Sequence, residues 1–168
     1  QAPAIVDLKI KNNPPKPWGD NEIAIYCGAG FPQWSPNSLS NPGESFVGGS
    51  EEAVIRMSQE LSKQGWKVTV FADPPEEGDY DGVKYLTHYK FNVVDNFNIL
   101  IAWRQPKFFE NELKYKKGYV WCHDIQNPLD YTENAIKKTT KFMYLSKWHR
   151  DNVPLVPEGK VWITSNGI

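Results

Sequence analysis

Short apolar runs, separated by polar stretches rich in glycine and proline, set the pattern of this chain. Ile23-Ala24-Ile25-Tyr26-Cys27 is apolar at successive positions, as expected of a strand buried on both faces of a parallel sheet. Lys67-Val68-Thr69-Val70-Phe71 reads as the second strand, and further strands are expected at 83–86, 98–102, 118–122, 142–145 and 161–163. Between the first two strands, residues 50–64 carry Ala53, Val54, Met57 and Leu61 at helical spacing, and Gly65 is placed to end that helix. Shorter helices are expected at 132–138 and 146–152, the second stopped by Pro154. Strands that alternate with helices predict an α/β fold: a Rossmann-like, doubly wound, mostly parallel sheet with helices on both faces.

Three stretches fall outside this alternation. Residues 1–21 alternate briefly at Ile5, Leu8 and Ile10 and then break at Pro14, Pro15 and Pro17, so an edge strand or arm and a Pro-rich linker are expected before a domain spanning 22–168. Residues 28–49 carry Pro32, Trp34, Pro36, Pro42 and Gly43 and form a loop too long to be a mere connection. Residues 73–82 read as an acidic, solvated loop, because their carboxylates lack the alternating oxygen spacing of a calcium loop.

Composition narrows the class. A chain of 168 residues with 40% hydrophobic content suits one domain with a real core. A net charge of -1 gives no electrostatic reason to expect nucleic acid as a partner. No apolar run approaches the roughly 18 residues needed to cross a bilayer, and the first residues lack a signal-peptide pattern, so a soluble, cytoplasmic protein is expected. Cys27 and Cys122 have no C-x-x-C partner, which suits a reducing compartment and argues against structural zinc; at adjacent strand ends they would form a pair of buried thiols. From Arg104 to Arg150 there are ten Lys/Arg against five Asp/Glu. That excess is either a solvated face or a peripheral contact with anionic lipid.

Chemically rich residues cluster where the predicted strands end. Gly48-Gly49 allows a tight turn and the close approach of a ligand, and Ser50 suits the N-cap of the helix that follows, with Glu51 behind it. The free N–H groups and dipole of such a start favour a phosphate or carboxylate, although two glycines that only shape a turn would look the same. Arg104 follows the fourth strand, where its fork is suited to an anion or simply to solvent. His123 and Asp124 follow the fifth: the imidazole can donate to a hydroxyl or relay a proton, or hold structure alone, and the carboxylate can accept a proton or a hydrogen bond. Other chemistries fail. Gly28-Ala29-Gly30 lacks the third glycine of a dinucleotide site, neither a G-x-x-x-x-G-K-[ST] nor a G-x-S-x-G motif is present, and His88, His123 and His149 have no metal-ligand spacing.

Together these stretches resemble the amino-terminal domain of GT-B-fold retaining glycosyltransferases of glycosyltransferase family 4. Gly48-Gly49-Ser50-Glu51 is similar to that family's G-G-[ST]-E loop, and Cys122-His123-Asp124 to its strand-end His-Asp. Tyr144-Leu145-Ser146-Lys147-Trp148, with Val161-Trp162-Ile163-Thr164-Ser165-Asn166-Gly167-Ile168, is similar to its S-x-W … I-x-N-G-[IV] passage into the interdomain hinge. The resemblance covers about residues 22–168 and implies one half of a GT-B fold. It implies an enzyme that transfers a hexose from a nucleotide-sugar to a glycan, lipid or other acceptor, with this domain on the acceptor side. A carboxyl-terminal donor domain with paired glutamates is expected as its partner and is absent from this chain. His123 is implied to lie against the transferred sugar as the catalytic residue. Gly48, Gly49, Ser50, Glu51, Arg104, Asp124 and Ser146 are implied to contact the donor diphosphate or the acceptor. No cofactor is implied beyond the nucleotide-sugar substrate, and no metal requirement. Divergent members of this kind occur in large DNA viruses, which would place the chain in a host cytoplasm. A stand-alone nucleotide-binding Rossmann domain and a non-catalytic sugar-binding module using exposed tryptophans remain as other readings.

Overall fold

A computed structural model describes residues 13–30, 32–40 and 47–165. The alternation at Ile5, Leu8 and Ile10, the loop residues Pro42 and Gly43, and Asn166-Gly167-Ile168 lie outside the described residues. Eight strands are present among those described: β1 (Glu22–Tyr26), β2 (Lys67–Ala72), β3 (Gly78–Tyr80), β4 (Val83–Thr87), β5 (Asn96–Trp103), β6 (Lys114–Trp121), β7 (Lys141–Tyr144) and β8 (Val161–Ile163). Three α-helices accompany them, α1 (Gly49–Lys63), α2 (Glu133–Lys138) and α3 (Lys147–Asp151), with short 3-10 turns between. The strands form one sheet in the order β3-β4-β2-β1-β5-β6-β7-β8. Every pairing is parallel except the antiparallel β3–β4 hairpin. The chain is therefore an α/β protein with a mostly parallel eight-stranded sheet. β1 sits inside it, and on its two sides the chain runs outward in opposite directions.

Alternate residues of each central strand feed opposite faces. Ile23, Ile25, Val68, Val70, Ile101, Trp103 and Trp121 build one core with α1, whereas Ala24, Phe71, Leu100, Ala102, Val120 and Cys122 build the other. Ala53 and Val54 of the expected α1 stripe are buried against the sheet, and Ile55, outside that stripe, joins them. Val54 and Ile55 are fully buried, each contributing roughly 1.5–3 kcal/mol, and Met57 and Leu61 pack beside them. The helix stops at Gln64, and Gly65 follows in the left-handed region (φ 92°). On the second face, Phe108 and Phe109 from the 3-10 turn Pro106–Glu110 and Ile136 of α2 cover the sheet.

Four features depart from the sequence pattern. The acidic stretch 73–82 contains β3, held by pairing with β4 although none of its residues is buried. β6 starts at Lys114 rather than 118, because its exposed first residues pair with β5. Within the expected linker, Trp18 donates its backbone N–H to Asn96 O (2.8 Å) and packs on Phe97 (5.1 Å between ring centroids). Its indole N–H reaches Asp95 Oδ2 at 2.9 Å, so these residues are tied to the start of β5. Finally, Cys27 and Cys122 are buried free thiols but not neighbours: β5 lies between their strands, and they point into opposite cores.

Candidate functional site

The carboxyl ends of β1, β5 and β6 lie side by side in the sheet, and the start of α1 faces them. Gly48, in extended conformation (φ -76°, ψ 164°), is the N-cap of α1. Ser50, expected there, is instead the second helical residue, and its hydroxyl donates to Glu51 Oε2 at 3.0 Å. The correction has a plain cause: capping needs non-helical backbone at the cap, and only Gly48 supplies it. No side chain caps this first turn. A Cβ at Gly49 would meet nothing within 4 Å. Packing therefore does not require glycine at 49, and the space beside it is open.

Arg104 is the hub. Its backbone is left-handed (φ 61°), an uncommon state for a residue with a side chain, and its N–H is fixed to Trp121 O at 2.9 Å. From there the guanidinium lies over the Trp103 ring, 4.8 Å from its centroid. Nη2 is 2.5 Å from Asp124 Oδ2, and Nη1 is 3.8 Å from Glu51 Oε1. Three stretches far apart in sequence are thereby joined. Gln105, the next residue, donates its side-chain amide to Cys27 O (3.3 Å), tying the end of β5 to the end of β1.

His123 lies behind this cluster, its ring 4.5 Å from that of Trp121 and 6.1 Å from that of Trp103. Its Nε2 is buried and has no hydrogen-bond partner among the described residues; the same holds for Trp103 Nε1. Burial first, then the nearby Arg104 charge and His149, pushes its pKa down to about 4 against the opposing pull of Asp124. At neutral pH the ring is uncharged, and one of its nitrogens is an acceptor.

Ser146 does not reach Arg104. Its hydroxyl caps α3, accepting from His149 N at 3.0 Å, and it joins the site only through His149. That histidine, which sequence reasoning passed over for want of a metal spacing, is 5% exposed. Its Nε2 lies 2.9 Å from Asp124 O; a carbonyl only accepts, so Nε2 carries the proton, and Nδ1 is left to accept from Leu145 N at 3.5 Å. His149 thus anchors the main chain of the residue that holds Arg104. Its place in α3, the helix that follows β7, one strand beyond His123, was the available signal.

An open pocket of about 310 Å³, with polar and apolar walls, adjoins the cluster, lined by Arg104, Gln105, Pro106, Lys107, Phe108 and Gln126 among others. A larger open groove lies elsewhere, over β2 and β4 beside Trp18, and none of the candidate residues lines it. Among the described residues no group of three or more His, Cys, Asp or Glu side chains is arranged to hold a metal, and no helix is long and apolar enough to cross a membrane. Comparison with known proteins finds no family model, no curated protein and no solved structure that matches the chain.

Proposed function

We propose that this chain is the acceptor-side domain of a two-domain retaining glycosyltransferase, moving a sugar from a nucleotide-sugar to a glycan, lipid or other acceptor. The observation that carries the reading is the Glu51–Arg104–Asp124 cluster, which gathers the start of α1 and the ends of β5 and β6 beside His123. The strand order supports it. Counting parallel strands alone, the sequence across the sheet is 3-2-1-4-5-6-7, the order of doubly wound, Rossmann-like sheets, in which ligands bind outside the strand carboxyl ends where the order reverses. That reversal is at β1 and β5, beside the cluster.

In this reading His123 meets the transferred sugar. A neutral imidazole with an unpartnered Nε2 can exchange hydrogen bonds with a sugar hydroxyl, and in a closed cleft such contacts favour an oxocarbenium-like transition state. The open space at Gly49 lets a phosphate or acceptor group approach the uncapped turn of α1. The test is transfer by the two-domain enzyme across a panel of nucleotide-sugars, wild type against His123→Ala. The expected fall in kcat is about 10²-fold or more, the scale of losing one preorganised hydrogen-bonding group, with a smaller change in donor affinity. A kcat within a few-fold of wild type, accompanied by a lower melting temperature, would assign His123 to packing against Trp121 and defeat the site.

One observation favours a second reading, a sugar-binding module: Trp148 and Trp162 are exposed, at 68% and 51%. Oligosaccharide binding that is lost in Trp148→Ala or Trp162→Ala, and kept in His123→Ala, would support it.

A further inference from the structure

Arg104 is not waiting for a ligand; two carboxylates already hold it. Asp124 lies 2.5 Å from Nη2 and Glu51 3.8 Å from Nη1, while His123 is neutral, so the cluster carries one positive and two negative charges. A bare anion that pairs with Arg104 here meets Asp124 and Glu51 as like charges, and it takes Nη2 only by displacing Asp124. Nor can Asp124 swing away with its backbone, since His149, itself buried, holds its carbonyl at 2.9 Å. The displaced carboxylate, half-exposed, stays beside the ligand, where a hydroxyl on the ligand can donate to it in place of water.

We infer that Asp124 is an internal competitor for Arg104 and a specificity-determining residue, making the site select anions that carry neighbouring hydroxyl groups, as sugar phosphates do, over bare phosphate. This rests on the glycosyl-transfer reading above and names the discrimination within the same site. Three further features fit. The adjoining pocket is lined by Gln105, whose amide is turned to Cys27 O, and by Gln126, whose amide suits a hydroxyl. The unpartnered Nε2 of His123 and Nε1 of Trp103 offer further hydrogen bonds to a polyhydroxylated ligand once Arg104 moves. The Arg104 pair is partly exposed, its side chains at 38% and 50%, so exchanging it for ligand contacts is thermodynamically accessible.

The experiment is an NMR titration of the Arg104 Nε–H signal, which reads binding into the millimolar range, with inorganic phosphate and with glucose 1-phosphate as the two probes. The 168-residue chain is compared with Asp124→Asn, which keeps the shape of the side chain and the His149 contact to the backbone. Wild type is expected to prefer glucose 1-phosphate by roughly tenfold. In the variant, phosphate should bind about two- to fivefold tighter, the scale of one partly exposed ion pair removed, and the preference for the sugar should largely disappear. Phosphate binding that is unchanged or weaker in Asp124→Asn, with the sugar preference intact, overturns the competitor role and leaves the proposed function standing. If neither probe moves the signal in either protein, anion recognition at Arg104 is wrong and both fall together. An Asp124→Ala chain serves as the second variant: it should behave as Asp124→Asn does, and a difference between them would trace the effect to amide hydrogen bonding instead of lost charge.

Discussion

His123 couples protonation to folding. Its folded pKa is about 4 against an ordinary 6.5, so between these values the unfolded chain takes up a proton that the folded chain refuses. The sign follows: stability is fully present above pH 6.5 and falls as pH drops through the window toward 4. Replacing His123 with Phe, which keeps a ring against Trp121, should remove this contribution. Thermal melts at pH 7 and pH 4.5 should therefore show a larger loss for wild type than for the variant, and parallel losses would show that other groups carry the acid sensitivity. A second residue-scale test is steric. A Cβ on Gly118 would sit 2.6 Å from Phe109 and 2.8 Å from Tyr115, inside van der Waals contact, so Gly118→Ala should cost about 1–3 kcal/mol in urea denaturation with an unchanged slope.

At the scale of elements, α1 separates folding from ligand approach. Gly49 has open space around it and ordinary helical surroundings, so Gly49→Ala should leave the melting temperature unchanged or slightly raised, by up to about 1 kcal/mol in stability, while sugar-phosphate binding weakens. Unchanged binding would mean that the two glycines only shape the turn. The elements read well from sequence wherever burial wrote a pattern. Ile23-Ala24-Ile25 announces a strand because both of its faces are covered, Val68-Thr69-Val70 because Val68 and Val70 are buried under α1, and the α1 stripe shows because one side meets the sheet. β3 leaves no apolar run because Gly78-Asp79-Tyr80 has only the half-buried Tyr80 to pack on the core; its pairing with β4 makes it a strand. The site was legible as a set of strand ends but not as a network. Nothing local in Arg104 foretells that it will meet Glu51 and Asp124, since that depends on β5, β6 and α1 converging and on a left-handed backbone at 104.

At the scale of the whole molecule, protection should follow the sheet from centre to rim. β1 and β5 are hydrogen-bonded on both sides and nearly fully buried, whereas β3 and β8 are rim strands with half-exposed residues. Amide exchange should therefore be slowest at Ala24, Ile25, Leu100 and Ile101 and fastest in 78–80 and 161–163; uniform exchange across the strands would contradict this ordering. The position of β1 also has a consequence during synthesis. It is the first strand among the described residues, yet one of its two partners, β5, begins about 70 residues after it ends. At roughly 5–20 residues per second, a nascent chain carries Ile23-Ala24-Ile25 with one unpaired edge for about 4–14 s before β5 is made. Ribosome-bound chains truncated ahead of residue 96 should accordingly bind holdase chaperones through this strand, and chains extended past residue 121 should release them.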